Sequence, residues 1–178
     1  MSSENGRCAD NQQASRKKIS DEYFSGFVDG EGCFYVGFSR RKDLPLGWQI
    51  ITEFHLSQNP QGKLILEGFQ RKLECGYIKP NHAKSKNDKT WVLIVKNRKD
   101  LKKRLIPFFR KHPLHSGKRK DFMLFVKVLQ LIEKKEHLER KGFRKIVNLI
   151  FQLPRSGKHY SKQEIFSSCS LRDYTPNT

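Results

Sequence analysis

Cysteine is scarce and scattered in this 178-residue chain: Cys8, Cys33, Cys75 and Cys169 stand far apart and form no CxxC pair. That argues against a disulfide framework or a structural zinc site, and makes a reducing, intracellular compartment the expectation. Histidine offers no substitute ligand set. Of six residues only His112 and His115 lie close together, and they flank Pro113, which would break a helix. No apolar run approaches the roughly 18 residues that cross a bilayer, and the amino-terminal stretch has no apolar core of the kind an export signal needs, so no membrane partner is expected. Negative charge is also in short supply. Eighteen Asp and Glu face 36 Lys and Arg, a formal net charge of +18, which is the footprint of a polyanion binder.

Aromatic residues are plentiful: thirteen Phe, five Tyr and two Trp exclude a disordered polycation. The length suits a single domain with one core. The charge is uneven, with four basic and five acidic side chains in residues 1–30 but sixteen basic against three acidic in residues 75–127. Residues 1–18 are polar and without periodicity and read as a disordered tail.

Ser20 is a good N-cap, followed by acidic Asp21 and Glu22, and Tyr23, Phe24, Phe27 and Val28 recur at helical spacing until Gly30–Gly32. From Cys33 to Arg41 the period becomes two, with Phe34, Val36 and Phe38 on one face. After the turn 43–47, residues 48–57 alternate again and predict an antiparallel hairpin. Pro60 opens a helix with Leu66, Phe69 and Leu73 on its buried stripe. Residues 75–86 and 88–97 predict a second strand pair. Helices are then expected over 99–109, 118–137 and 143–153, with Pro154 and the Ser-rich end marking an exit from the core. The order αββαββα with additional C-terminal helices is an α+β domain whose sheet has one polar face.

The first helix contains an oddity. Gly26 lies inside it and Gly30 follows four residues later on the same face, although each glycine costs a helix about 1 kcal/mol relative to Ala. Close approach of a second helix is the usual physical reason. Beside them stand two carboxylates, Asp29 and Glu31. Read together, Phe24-Ser25-Gly26-Phe27-Val28-Asp29-Gly30-Glu31-Gly32 resembles the LAGLIDADG homing endonuclease motif. Gly26, Asp29 and Gly32 match outright, Ser25 and Gly30 keep the small positions, Phe24, Phe27 and Val28 the apolar ones, and Glu31 the second acidic one. The downstream order is also the family's, over residues 19–153, leaving 154–178 as a C-terminal extension.

The resemblance implies a saddle-shaped antiparallel sheet and metal-dependent cleavage of double-stranded DNA. One motif occurs, and 178 residues leave no room for a second copy of the stretch 19–153, so the implied assembly is a homodimer on a long, pseudo-palindromic target. Ser25, Gly26, Asp29 and Gly30 are the implied dimer interface. By family position Glu31 is the metal ligand, with the carbonyl of Gly30 a second oxygen, Mg²⁺ or Mn²⁺ the ion, and Asp29 a structural support of the helix end. Gln58 stands where the family orders water. The basic position one turn later is Gly62 here, with Lys63 beside it. Lys118 matches the family lysine before the long helix. Intron mobility is the implied biological role, in a chloroplast, a mitochondrion or a bacterial cytoplasm.

Counting in steps of two from Glu31 puts Cys33, Tyr35, Gly37, Ser39 and Arg41 on the DNA side of the sheet. Gln49, Glu53 and His55 on the second strand, and Lys79 and Asn81 on the third, join them as candidates for base-edge contact, a strand ribbon being narrow enough for the major groove. Lys84, Lys86 and Lys89, with Lys102 and Lys103, are expected at phosphates. Two rival readings remain at this level: an RNA-binding intron maturase on the same scaffold, and a basic structural RNA-binding protein unrelated to the motif.

Overall fold

Helix α1 (Asp21–Glu31) begins at Ser20, whose hydroxyl accepts the Tyr23 N–H at 3.1 Å, while Asp21 and Glu22 place negative charge at the positive end of the helix. It runs straight into strand β1 (Gly32–Arg40), with Glu31 the last helical residue and Gly32 the first of the strand. The structure is a computed structural model and describes residues 19–83, 85, 87–153 and 159–169. Strand β2 (Trp48–Gln58) returns antiparallel to β1, in register from Gly32 opposite Leu56 to Arg40 opposite Trp48. A 3₁₀ turn (Pro60–Gly62) leads into α2 (Lys63–Leu73), then β3 (Tyr77–Pro80) and β4 (Trp91–Val95). The sheet has the order β1-β2-β4-β3, and every pair is antiparallel.

The expected order αββαββα holds, with shorter strands in the second hairpin than the sequence predicts. Ladder pairing of β3 ends at Pro80, which has no N–H to donate, and the chain then turns at Asn81–Ala83. Lys84 and Lys86 lie outside the described residues. After β4 the backbone is helical from Arg98 to Lys111, as α3 (Arg98–Asp100), a π-helical turn (Leu101–Leu105) and α4 (Ile106–Lys111). In that turn the Ile106 N–H bonds to the Leu101 carbonyl, five residues back. The wider ring precedes Pro107, which lacks an N–H and would crowd the carbonyl of an ordinary turn. Helices α5 (Lys118–Glu133) and α6 (Arg140–Ile150) follow, joined by a short 3₁₀ turn (Glu136–Leu138).

The core fills the space between one sheet face and the helices. Phe34 of β1 has the rings of Phe54, Phe109, Phe122 and Phe125 at centroid distances of 5.2 to 5.7 Å, joining β2, α4 and α5 around one aromatic side chain. Phe24 of α1 touches Phe69 of α2 at 5.0 Å and sits over Gly68, where a Cβ would come 3.3 Å from its ring. The end of the chain departs from expectation. Rather than leaving the core after Leu153, the described part of the extension returns to it: α7 (Lys162–Ser167) buries Ile165, Cys169 is 3% exposed, and Tyr160 packs edge-on against Trp48 at 4.8 Å. The Ser-rich composition hid this, because Ser161 and Glu164 form a capping box that starts a helix.

Phe34→Ala removes the ring on which four elements converge. It is expected to lower the unfolding free energy by about 3–5 kcal/mol, measured as a shift in the urea midpoint at constant slope.

Candidate active site

The inward side of α1 is fastened along its length to the segment between α4 and α5. Asp21 and Glu22 contact the His112 ring at 3.4 and 3.2 Å, and Asp21 also pairs with Lys72 at 2.9 Å. The Ser25 hydroxyl donates to the carbonyls of His112 and Pro113 at 2.9 and 3.2 Å. The Asp29 carboxylate accepts the amides of His115 and Ser116, both at 2.9 Å, and the Ser116 hydroxyl at 2.7 Å. Partial burial pushes the Asp29 pKa up, but these donors outweigh it and hold the carboxyl below its ordinary value. Ser25 is 5% exposed. Ser25 and Asp29 are therefore bound to the segment between α4 and α5 of their own chain.

The opposite side of α1 is open. Gly26 and Gly30 are exposed, and a Cβ added to either would meet nothing within 4 Å. With Tyr23 and Phe27, whose rings stack at 6.2 Å, they form an i, i+3, i+4, i+7 stripe. Tyr23 is 50% exposed. Phe27 is half-buried and packs partly against the core. The polar positions Asp21, Ser25 and Asp29, spaced by four, mark the inward face.

At the end of α1, Glu31 is exposed and makes no side-chain hydrogen bond or ion pair among the described residues. The last turn of the helix contains no basic side chain, so this carboxylate faces the negative end of the helix dipole uncompensated. Gly32 is obligatory next to it, since a Cβ would lie 2.5 Å from Val28 Cγ1 and 2.7 Å from the Val28 carbonyl oxygen.

Three other candidates gather around this end of the sheet. Gln58 lies two residues beyond Leu56, the partner of Gly32, and its side-chain oxygen accepts the Asn59 amide at 2.7 Å. Its side chain lies over Gly62, where an added Cβ would come 2.3 Å from Gln58 Cγ. Lys63, the next residue, places its ammonium 3.9 Å from the ring of Trp91, the strand partner of Gln58. Lys118 starts α5, and its amide donates to the Ser116 hydroxyl at 3.1 Å, so Asp29 ties Lys118 to the same helix end. Among the described residues no group of three or more His, Cys, Asp or Glu side chains is gathered as a metal site within the chain.

The polar sheet face has the expected phase. Tyr35, Ser39, Gln49, Glu53 and His55 are on it, Tyr35 opposite Glu53 and Ser39 opposite Gln49. Tyr35 stacks on His55 at 5.9 Å, and its ring oxygen lies over Gly37. Glu53 contacts His55 at 2.7 Å and Lys96 at 3.2 Å. Strand parity places Lys96 on this face two residues beyond Ile94, a signal the sequence reading passed over. Lys79 is exposed on β3, and Asn81 stands at the head of the following turn, its amide bonded to the Thr90 carbonyl at 2.8 Å. Arg41 lies one residue past β1 and is held in a fork by Asp43, at 2.8 and 2.7 Å, with a long contact to Gln49 at 3.4 Å. The Arg41 guanidinium lowers the Asp43 pKa to about 2.

An α+β unit with a glycine-lined helix end, a free carboxylate and a polar sheet face is the architecture of one class of protein. Residues 24–129 match the LAGLIDADG endonuclease family, and the chain belongs to it. It is 32% identical over 132 residues to a protein named probable intron-encoded endonuclease 2 of Neurospora crassa, an alignment covering 74% of this chain and 27% of that one. The chain thus spans about a quarter of that relative's length. Among solved structures it resembles the homing endonuclease I-TnaI, with a TM-score of 0.72, 31% identity, and 85% of this chain and 96% of that one covered. It also resembles the homing endonuclease I-LtrWI solved bound to its target DNA, with a TM-score of 0.75, 33% identity and coverage of 89% and 51%.

The Asp29 clamp predicts a pH signature. A depressed carboxyl pKa contributes stability that is present above the ordinary carboxylate range and lost as pH falls through the folded value. Asp29→Asn is expected to cost about 1–2 kcal/mol at pH 7, with the difference from the parent shrinking below about pH 4, as followed by urea titration across pH.

Proposed function

We propose that the chain is a site-specific double-strand DNA endonuclease that works as a homodimer and cuts a long, approximately palindromic target by metal-dependent hydrolysis, promoting the mobility of an intron that encodes it. The observation that carries this is Glu31, a carboxylate with no partner among the described residues, at the negative end of a helix in a chain of net charge +18. Such a group costs stability unless a cation joins it, and carboxylate oxygen is the donor that hard divalent ions prefer. One chain offers one such side chain, with the Gly30 carbonyl beside it. Two chains meeting through the Tyr23, Gly26, Phe27 and Gly30 stripe would bring two Glu31 carboxylates together, a donor set that fits Mg²⁺ or Mn²⁺.

When bound, the ion would supply a nucleophilic water and relief of charge at the phosphate. The remaining tasks fall to the chain. Glu31 holds the ion at the end of α1, and Asp29 keeps that end still. The Gln58 amide orients water from the neighbouring strand end. Lys118 and Lys63 approach the phosphate from α5 and α2 and offset its developing charge. Tyr35, Ser39, Gln49, His55, Lys79 and Asn81 contact base edges, and the wider basic surface grips phosphates. The similarity to I-TnaI over nearly its whole length, and to half the length of DNA-bound I-LtrWI, supports the reading of this chain as one of two equivalent halves.

Glu31→Gln is expected to reduce cleavage of the cognate duplex by about a thousandfold or more, the several kcal/mol a bound cation contributes, while binding measured without metal changes little. Undiminished cleavage would remove Glu31 from the chemistry. Gly26→Leu separates association from folding. Because the site is open, the variant should melt no lower than the parent, with a helix-propensity gain of up to about 1 kcal/mol, yet sediment as a monomer. A Gly26→Leu protein that still forms dimers would contradict the α1 interface.

A further inference from the structure

The hairpin of β1 and β2 projects beyond the rest of the sheet. β1 accompanies β2 as far as the pair Arg40 and Trp48, but β4 pairs with β2 only from Phe54 to Gln58. Among the described residues, 48–53 therefore have a strand on one edge and none on the other. Arg98, three residues past the end of β4, donates from Nη2 to the Ile50 carbonyl at 2.8 Å, a contact between residues 48 apart in sequence. Among the described residues no carboxylate pairs with this guanidinium, and burial lowers its pKa from the ordinary value. It lines a cavity of about 180 Å³ under the hairpin with Leu46, Trp48, His137 and Leu138. Arg98 as a whole remains exposed, yet its guanidinium reaches in to the Ile50 carbonyl, a charge-assisted hydrogen bond to the segment that carries Gln49.

We propose that Arg98 is a positioning residue for base recognition: its guanidinium stands in for the absent strand at Ile50 and holds the projecting half of the hairpin, with Gln49 and Arg41, in a fixed register for the outer part of each DNA half-site. The role in recognition rests on the endonuclease reading; the hold on the hairpin does not. Arg41 is already braced by Asp43, so the tip is fastened from both ends. A fixed tip charges less entropy to each base contact when the duplex binds.

Two variants test this, Arg98→Met, which keeps the bulk and loses every donor, and Arg98→Lys, which keeps the charge and loses the fork. In the free protein, amides of residues 37–40 and 48–52 should exchange with solvent at least about tenfold faster in Arg98→Met, while those of residues 54–58, held by β4, keep the parent rates. Unchanged tip amides, or a parallel rise at 54–58, would overturn the proposal. If Arg98→Met does not fold, Arg98→Lys carries the same comparison. In cleavage of single-substitution targets, Arg98→Met should lose discrimination about fivefold or more at the base pairs where Gln49→Ala also loses it, and nowhere else. KM should rise while kcat at saturating DNA stays within about twofold. Uniform relaxation along the target, or none, would refute the role in recognition. Absence of any cleavage by the parent would instead count against the endonuclease reading, leaving the exchange result to decide the role of Arg98.

Discussion

The carboxylate of Asp29, held by the Ser116 hydroxyl and the amides of His115 and Ser116, determines where α1 ends and therefore where everything attached to that end must lie. Glu31 follows two residues later, and Gly32 begins β1 with no residue between helix and strand. Because side chains alternate strictly along a strand, that junction sets the phase of the whole sheet: Phe34, Val36 and Phe38 enter the core, and Tyr35 and Ser39 stay on the polar face. The same clamp reaches Lys118 through Ser116. One interaction therefore relates the carboxylate, the polar sheet face and the start of the long helix.

A second consequence concerns α1 itself. With Asp21, Ser25 and Asp29 committed inward and Phe24 and Val28 in the core, the remaining stripe is left open except for the part of Phe27 that touches the core, and its glycines leave it shallow. The charges divide in a similar way. Residues 98–150 hold seventeen basic and five acidic side chains, whereas on and beside the polar face Lys96 is paired with Glu53 and Arg41 with Asp43. Excess charge on the helices would draw a polyanion from a distance, while the ion pairs keep the polar sheet face ordered.

Much of this was legible in the sequence because the relevant signals are periodic. The change from period 3.6 to period 2 at Gly32, the alternation through Leu56 and the Pro60 start of the following turn were all visible, and so was the placement of Tyr35, Gln49, Glu53 and His55 on one face. What escaped lay in long-range contacts. Nothing local reveals the segment 112–116 that binds Ser25 and Asp29. Arg98 drew no attention, since its partner is a carbonyl 48 residues away. The return of Ile165 and Cys169 to the core was masked by a polar stretch whose capping box is its only local sign.

The central claim is that two copies of this chain each contribute Glu31 to one cut duplex. It is tested most directly by co-expressing wild-type and Glu31→Gln chains under different affinity tags, isolating the mixed dimer and following its action on a supercoiled plasmid that carries the target. The account predicts that the mixed dimer cuts at most one strand, giving nicked circles or no product, under conditions where the wild-type dimer linearises the plasmid. Linear product from the mixed dimer at the wild-type rate would contradict it.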